Sequence, residues 1–352
     1  MTRRRVTVLA SLLTAALVGA GAAPALADGG SVGADVSRYQ CGRPWLNGQA
    51  FAIVAVNNGL PTAANPCLAE QLTLASLTPG AGHPAVSVYV NTANPKPAAA
   101  AWWPSSNRTR RGAAVKTPYG SCTGGATAAC SFVYGASLAL DDLQVQGVPA
   151  GVAARWWLDV EAANSWSTST ARNRAVLEGM TTRFTAAGQK VGLYALSHEF
   201  RDLIGPVPAT SPLSPLPSWL AGAADQGHAG KVCSREPLTK GRVLLAQWET
   251  RSGTDRLDAD LACTVLSPAP KPSVAGVKAV RGRLTARTGA WAVGAKLAYR
   301  WTRDGAPIAG ATKAAYTAVK KDAGHRIAVV VTGTRDGSSR AEKTSAAVKV
   351  HR

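Results

Sequence analysis

The 352-residue sequence contains no long apolar run after its first 27 residues. Crossing a bilayer takes roughly 20 consecutive, mostly apolar residues, so we predict no membrane span in the mature chain. The N-terminus differs, because three arginines precede an apolar run that ends in Ala25-Leu26-Ala27, whose small residues suit a signal peptidase. We therefore predict a signal peptide over 1–27 and a secreted, extracellular protein, with attachment to the cell wall as a further option. An uncleaved membrane anchor is the alternative.

Motifs for several kinds of chemistry are missing. The five histidines are scattered without a neighbouring Ser or Cys motif, so a nucleophilic triad is not indicated. Glycine-rich segments such as Thr123-Gly124-Gly125 lack the spacing of a phosphate-binding loop, so nucleotide binding is not indicated. We expect neither a cofactor nor a metal ion.

Cysteine is scarce but even in number. Six cysteines in an exported chain predict three disulfides, for which 15 connectivities exist. Zinc binding is the alternative, but the sequence has no C-x-x-C motif and no paired histidines. We favour pairing between cysteines that are near each other in sequence: Cys41–Cys67, Cys122–Cys130 and Cys233–Cys263.

Acidic residues are few, and the excess of basic over acidic residues is largest near the C-terminus. The chain has 39 Lys and Arg against 20 Asp and Glu, a formal net charge of +19. Residues 269–352 alone hold 17 basic and 4 acidic residues, a net charge of +13. This segment should favour anionic surfaces such as cell-wall polymers, with an inert spacer as the alternative. Nucleic-acid binding is the weakest option, because aromatic residues are not interleaved with its Lys and Arg in a recognisable module.

The length favours two domains. A proline-rich linker at 267–272 marks the boundary and should hold the two domains apart. Before it, over 28–266, short apolar runs alternate with segments of helical periodicity, a pattern typical of α/β folds. Strands are predicted at 32–36, 51–56, 85–90, 155–160, 190–194 and 242–248. Helices are predicted at 66–76, 126–146 and 169–187. We therefore predict a parallel, TIM-like β/α barrel.

The segment after the linker has a β pattern. Runs near 296–301 and 326–332 alternate apolar and polar residues, and Asp304-Gly305 and Asp336-Gly337 are turn dipeptides. The aromatic pattern Tyr299-Arg300-Trp301 and the later Tyr316 resemble immunoglobulin-like repeats of exported bacterial proteins. We predict a small all-β immunoglobulin-like sandwich over 273–352, with Trp301 at its centre.

Several carboxylates stand at predicted strand ends in the barrel region. Asp35 ends the first strand, Asp159 and Glu161 end the strand at 155–160, and Asp258 and Asp260 follow the last one. Residues two apart on a strand share a face, so Asp159 and Glu161 should point the same way. Crowded carboxylates beside an apolar wall should raise one pKa, which is what a general acid for glycosidic cleavage requires. A solvated, merely acidic strand end is the alternative.

A resemblance extends this interpretation. The segments at 35–40, 158–161, 191–195 and 246–248 resemble, in the same order, the D-V-S-x-x-Q, D-x-E, G-x-Y-[ST] and Q-[YW] strands of family 25 glycoside hydrolases, the lysozymes that act on peptidoglycan. The segment at 257–260 stands where that family carries a final V-D-x-[ND]. The strands at 52–56 and 86–90 lack the acidic and aromatic pattern of a typical member.

The resemblance implies that Glu161 is the catalytic acid and that Asp159 orients the N-acetyl group of the substrate. Asp35 and Asp258 would complete the acidic floor, and the substrate would be the β-1,4 bond after N-acetylmuramic acid. Further residues at strand ends are candidates for substrate binding: Asn91, Trp157, Tyr194, Gln247 and Trp248. We expect a lysozyme-like hydrolase, with a catalytically inactive glycan-binding protein on the same barrel as the alternative.

Overall fold

The computed structural model describes residues 31–43, 45, 48–252 and 255–352, so the predicted signal peptide lies outside the described residues. Within them, eight strands close into a barrel in chain order. Each predicted strand corresponds to an observed one within a few residues, but the sixth and eighth observed strands were not predicted. The strands are β1 Val32–Val36, β2 Ala52–Ala55, β3 Val86–Asn91, β4 Trp156–Asp159, β5 Val191–Ala195, β6 Ser218–Ala223, β7 Val243–Ser252 and β8 Asp255–Ala262.

The expectation of a wholly parallel barrel is wrong at its last strand. Strands β1 to β7 pair in parallel, whereas β8 runs antiparallel to both β7 and β1. Only two residues separate β7 from β8 in sequence, and a parallel return needs a crossover of a dozen or more. The short connection therefore forces a hairpin, and Asp258 and Asp260 lie within β8 instead of after the last strand.

In the described part of the chain, five α-helices lie in the connections between the parallel strands. The predicted helices at 66–76, 126–146 and 169–187 are confirmed as α1, α2 and α3, each slightly shorter than predicted. Gly135 and Gly179 let α2 and α3 approach closely, because a Cβ at either position would collide with the backbone of the other helix. None of the described helices is long and apolar enough to span a membrane. The helices are α1 Leu68–Ala75, α2 Ala128–Gln144, α3 Thr170–Ala186, α4 Ser197–Ile204 and α5 Gln226–Cys233.

Aromatic and aliphatic side chains fill the inside of the barrel. Phe51, Ile53, Trp157, Trp219 and Leu245 form one buried cluster. Their close packing makes the barrel a solid core without a channel, so a ligand must bind at its mouth.

All three predicted disulfides are confirmed. Cys41–Cys67 joins the segment after β1 to the start of α1. Cys122–Cys130 closes a loop onto α2, and Cys233–Cys263 ties the end of α5 to the residue after β8.

The C-terminal part consists of a three-stranded sheet, β10-β11-β14, and a six-stranded sheet, β13-β12-β15-β16-β9 with β17 paired to β15. They share an apolar core around Trp301, which is fully buried. The β prediction for this region is confirmed, while the immunoglobulin-like assignment stays a prediction. The strands are β9 Thr264–Val265, β10 Ser273–Gly276, β11 Arg283–Arg287, β12 Lys296–Arg303, β13 Ala306–Pro307, β14 Ala315–Thr317, β15 Arg326–Arg335, β16 Ser338–Thr344 and β17 Val348–Lys349.

The proline-rich segment at 267–272 does not hold the two parts apart, contrary to the prediction. Strand β9, directly after the barrel, pairs in parallel with β16. The Gly337 amide donates to the Gly230 carbonyl of α5 over 2.7 Å, and Arg340 forms an ion pair with Glu236. The six-stranded sheet is therefore attached to the barrel through backbone hydrogen bonds on both sides of the Cys233–Cys263 bridge.

Candidate active site

The parallel strands bring the predicted acidic residues to one mouth of the barrel. Asp35 lies in β1, Asp159 ends β4, and Asp258 lies on the antiparallel β8. A cavity of about 300 Å³ opens there. Seven of the nine predicted catalytic and binding residues line it: Asp35, Asn91, Asp159, Glu161, Tyr194, Gln247 and Asp258.

A second cavity of about 420 Å³ adjoins the first. Glu161, Tyr194 and Asp258 line both, so the two cavities are parts of one cleft. Trp248, one of the predicted binding residues, lines the second cavity. Trp157 lines neither of them, because it is fully buried inside the barrel beneath the cleft, so we assign it to the supporting core.

The Asp35 side of the cleft is held by a chain of hydrogen bonds. Gln247 Nε2 donates to Asp35 Oδ2 over 2.9 Å. The Tyr194 hydroxyl in turn donates to Gln247 Oε1 over 2.8 Å. Because Gln247 accepts at Oε1 and donates from Nε2, its amide has a single orientation and Asp35 is fixed in place.

The Asp159 side is held by a second, fully buried chain. Asn91 Nδ2 donates to Asp159 Oδ2 over 2.8 Å, and the Asn91 backbone amide donates to Asn57 Oδ1 over 2.9 Å. Asn57 Nδ2 donates to Asp142 Oδ1 on α2 over 3.0 Å. Asp159 Oδ1 has no hydrogen-bond partner among the described residues. Asp159 is therefore fixed by one oxygen while its other oxygen is left unbonded.

Burial and crowding raise the pKa of four carboxyls in this cleft, those of Asp35, Asp159, Glu161 and Asp258. Burial raises the pKa of Asp159 well above its ordinary value, and the charge of Glu161 adds to the effect. Burial likewise raises the pKa of Asp35, followed by the charges of Asp260 and Asp258. For Asp258, which reaches solvent at the rim, partial desolvation and the charge of Glu249 raise the pKa to about 6.

Glu161 is half-buried and differs from its neighbours in access. Burial raises its pKa, and the charges of Glu199 and Asp258 raise it further. A hydrogen bond with the Tyr194 hydroxyl lowers the pKa but does not cancel these effects. Its backbone carbonyl accepts a hydrogen bond from Trp166 Nε1 over 2.8 Å, which fixes the loop after β4. The site thus holds a reachable carboxyl that retains its proton to higher pH than an exposed glutamate.

Sequence reasoning missed some residues of the site. Tyr89 in β3 lines the first cavity, and Glu199 at the start of α4 lines the second. Glu199 also accepts the Ala162 amide over 2.7 Å. Neither residue belongs to a motif, although Tyr89 lies two residues before Asn91 and so shares its face of β3.

The site has carboxylates but no grouping typical of metal ligands. Within the described ranges, no three or more His, Cys, Asp or Glu side chains are arranged to hold a metal ion. The structure thus defines an α/β barrel with a carboxyl-lined cleft at its mouth.

Comparisons with known proteins give partial similarities. No family model matches the chain. It is 41% identical over 49 residues to lysozyme-like protein 5 of Caenorhabditis elegans, which is 14% of this chain and 22% of that protein, so the chain spans about a fifth of the length of that relative.

Solved structures similar to the chain include lysozymes and a cortex lytic enzyme. One is the spore cortex lytic enzyme SleM of Clostridium perfringens, with a TM-score of 0.42 and 13% identity, covering 90% of this chain and 98% of that one. Another is a family GH25 lysozyme from Aspergillus fumigatus, with a TM-score of 0.43 and 12% identity, covering 66% of this chain and 93% of that one.

Proposed function

We propose that this chain is a secreted peptidoglycan hydrolase of the lysozyme type with Glu161 as its general acid. The position of Glu161 carries this proposal. It lines both cavities, is half-buried and has a raised pKa. Asp159 is only 3% exposed, and Asp258 reaches solvent at the rim. Glu161 is thus the carboxyl that best combines access to a substrate with a retained proton.

The resemblance of the strand motifs to family 25 glycoside hydrolases supplies the substrate, the β-1,4 bond after N-acetylmuramic acid. Glu161 donates its proton to the glycosidic oxygen as the bond from the anomeric carbon to that oxygen breaks. The acetamido oxygen of the same sugar bonds to the anomeric carbon, while Asp159 accepts a hydrogen bond from the acetamido N–H. Water then attacks the anomeric carbon, the bond from that carbon to the acetamido oxygen breaks, and the water proton passes to the Glu161 carboxylate, which restores both the acetamido group and the acid.

The free Asp159 oxygen supports this role. Asn91 occupies Oδ2, so Oδ1 is the atom left to interact with an amide N–H. The charge of Asp258 raises the pKa of Asp35 and Glu161, and the charge of Asp35 raises the pKa of Tyr89 and Tyr194.

The test compares Glu161→Gln with the matched variant Glu70→Gln, which changes an exposed glutamate on α1. We expect Glu161→Gln to lower the release of reducing ends from Gram-positive walls by at least about 100-fold, because a general acid contributes 10²–10⁴ in rate. Its melting temperature should stay near that of the wild type. Equal activity of the two variants would show that Glu161 is not the acid.

A second candidate is a glycan-binding protein without turnover. It is favoured by the ends of β2 and β3, which present the amides Asn57 and Asn91 and no carboxylate. Binding of the wild-type chain to walls without any release of reducing ends would select this function.

We further propose export through the predicted signal peptide at 1–27. The three disulfides support it, because such bridges persist in oxidising compartments. N-terminal sequencing of the protein from culture medium should begin at Asp28.

A further inference from the structure

The two sheets of the C-terminal part differ in what occupies their surfaces. The six-stranded sheet is attached to the barrel through β9, α5 and the Arg340–Glu236 ion pair. The three-stranded sheet, β10-β11-β14, makes no such contact with the barrel among the hydrogen bonds and ion pairs of the described residues. Its outer face is therefore free of such bonds to the described part of the barrel.

Strand β11 places two arginines on that free face. Leu284 and Ala286 point into the core around Trp301, so the alternate residues Arg283, Thr285 and Arg287 point outward, and all three are exposed. Four residues of antiparallel strand separate the two arginines by about 14 Å. Neither guanidinium has a hydrogen-bond or ion-pair partner among the described residues.

The acidic residues of the C-terminal part lie elsewhere. Asp304 and Asp336 lie in the turns that follow β12 and β15, and Glu342 is in β16 and pairs with Arg300 over 3.5 Å. Asp322 is fully buried and bonded to Arg303. The three-stranded sheet itself contains no acidic residue. Its positive charge is therefore not neutralised locally.

Further basic residues extend this surface at one end. The turn between β10 and β11 carries Lys278 and Arg281, both exposed. The Arg281 amide donates to the Ala318 carbonyl over 2.8 Å, which brings the turn beside the segment that leads to Lys320 and Lys321. The free face and this end together form a continuous basic surface, which we call the β11 surface.

We propose that the β11 surface binds a linear phosphodiester polymer of the bacterial wall. The planar guanidinium forks of Arg283 and Arg287 match the geometry of phosphate oxygens. The hydroxyls of Thr285, Thr317 and Ser273 lie on the same face and add hydrogen-bond donors. The outward residues of the three strands include no aromatic ring, so the face offers nothing for nucleic-acid bases to stack on.

The test uses the full chain and immobilised poly(glycerol phosphate) at about 0.1 M salt, where surface charges still interact. The variant Arg283→Gln/Arg287→Gln removes two charges from the β11 surface. The control Lys296→Gln/Arg326→Gln removes two exposed charges from the six-stranded sheet, so the net charge is the same in both. We expect the first variant to bind about tenfold more weakly and the control to bind within about twofold of the wild type.

Three results would overturn the proposal. Equal losses in the two variants would mean that net charge alone drives binding. A first variant that binds like the wild type would place the contact elsewhere. Polygalacturonate, duplex DNA or anionic lipid vesicles bound at least as tightly as poly(glycerol phosphate) would assign the surface to carboxylates, nucleic acid or membrane instead. Wall hydrolysis plays no part in this binding measurement, so its result is independent of the role of Glu161.

Discussion

Buried aspartates have opposite environments in the barrel and in the C-terminal sheets. Asp322 and Asp260 are both fully buried. Burial alone would raise the pKa of Asp322, but hydrogen bonds from Tyr316, the Val319 amide and Arg303 outweigh it and lower the pKa. For Asp260, burial comes first and raises the pKa to about 8, and the charge of Asp258 acts in the same direction.

This contrast separates a structural carboxylate from members of a reactive cluster. Asp322 accepts from Arg303 Nε over 2.7 Å, from the Tyr316 hydroxyl over 2.6 Å and from the Val319 amide over 2.7 Å. Asp159 retains one oxygen without a partner among the described residues, and Asp260 has only the neighbouring carboxyl of Asp35 and the Trp219 indole N–H as hydrogen-bond partners. A fold that keeps carboxyls poorly paired gives up stability at that point, which is typical of functional sites.

The largest expected effect is a loss of wall hydrolysis, which would distinguish the carboxyls of the cleft from the structural carboxylate Asp322. Asp159→Asn should lower wall hydrolysis by about 100-fold or more, because an amide cannot replace a carboxylate opposite the developing positive charge. Its thermal stability should stay equal to that of the wild type or rise, since a buried carboxyl is removed from a crowded cluster. Calorimetry alongside a reducing-end assay checks both. A large drop in melting temperature would place Asp159 with the structural carboxylates.

Asp322→Asn should have the opposite effects, a loss of stability with little change in wall hydrolysis. It leaves Arg303 and the Tyr316 hydroxyl without their charged acceptor, so we expect a loss of about 2–3 kcal/mol in the free energy of unfolding. Wall hydrolysis per folded molecule should remain within about twofold, since Asp322 lies in the C-terminal part. Urea denaturation of the full chain measures the first quantity. Unchanged stability would mean that the contacts of Asp322 contribute little.

The pH dependence of stability should have opposite signs in the two regions. Asp260 and Asp142 have folded-state pKa values raised to about 8, so the folded state binds protons that the unfolded state has released. Their contribution is present below the unfolded pKa and is lost as the pH rises toward 8. The lowered pKa of Asp322 instead gives stability above its unfolded pKa, which is lost as the pH falls through the folded value.

Urea midpoints of the full chain at pH 5 and pH 8 test this. We expect the wild type to be less stable at pH 8, and Asp260→Asn to reduce the difference. Asp322→Asn should leave the difference unchanged, because Asp322 is ionised at both values. A wild type that gains stability between pH 5 and pH 8 would contradict the raised pKa values.

The sequence predicted strands β1 to β5 and β7, three helices and the disulfides, because short apolar runs and long periodic helices are local signals. It missed β6 and β8. Strand β8 reads D-R-L-D-A-D-L-A, in which Asp258 is exposed and Asp260 is buried. Its many charged residues did not indicate a strand, because such a strand becomes favourable only when the barrel closes. Asp35 and Gln247, 212 residues apart, meet only through barrel closure.

Burial of individual side chains was also beyond sequence reasoning. Trp157 shares a strand face with Asp159, as alternation predicted, but lies one layer deeper in the barrel. Alternation predicts the direction in which a side chain points but not how deeply it is buried. Trp157 is therefore a core residue and not the predicted sugar-binding residue.

The smallest predicted effect concerns the chain of hydrogen bonds behind Asp159. Asn57→Ala removes the acceptor of the Asn91 amide and should lower wall hydrolysis about tenfold, because Asn91 then holds Asp159 less firmly. Asp142→Asn keeps an oxygen that can accept from Asn57 Nδ2, so its activity below pH 7 should stay within about twofold of the wild type.

The comparison of these two variants separates the effect of orienting Asn57 from the effect of the charge of Asp142. Burial raises the pKa of Asp142 to about 8, so the wild type holds a neutral group there at pH 6 and gains charge as the pH rises through about 8. Activity profiles from pH 5 to pH 9 should therefore coincide for the wild type and Asp142→Asn on the acid side and separate on the alkaline side. If Asp142→Asn is as impaired as Asn57→Ala at pH 6, the charge of Asp142 matters more than the orientation it gives to Asn57, and the barrel would then depend on a buried ionised carboxylate as the C-terminal sheets do on Asp322.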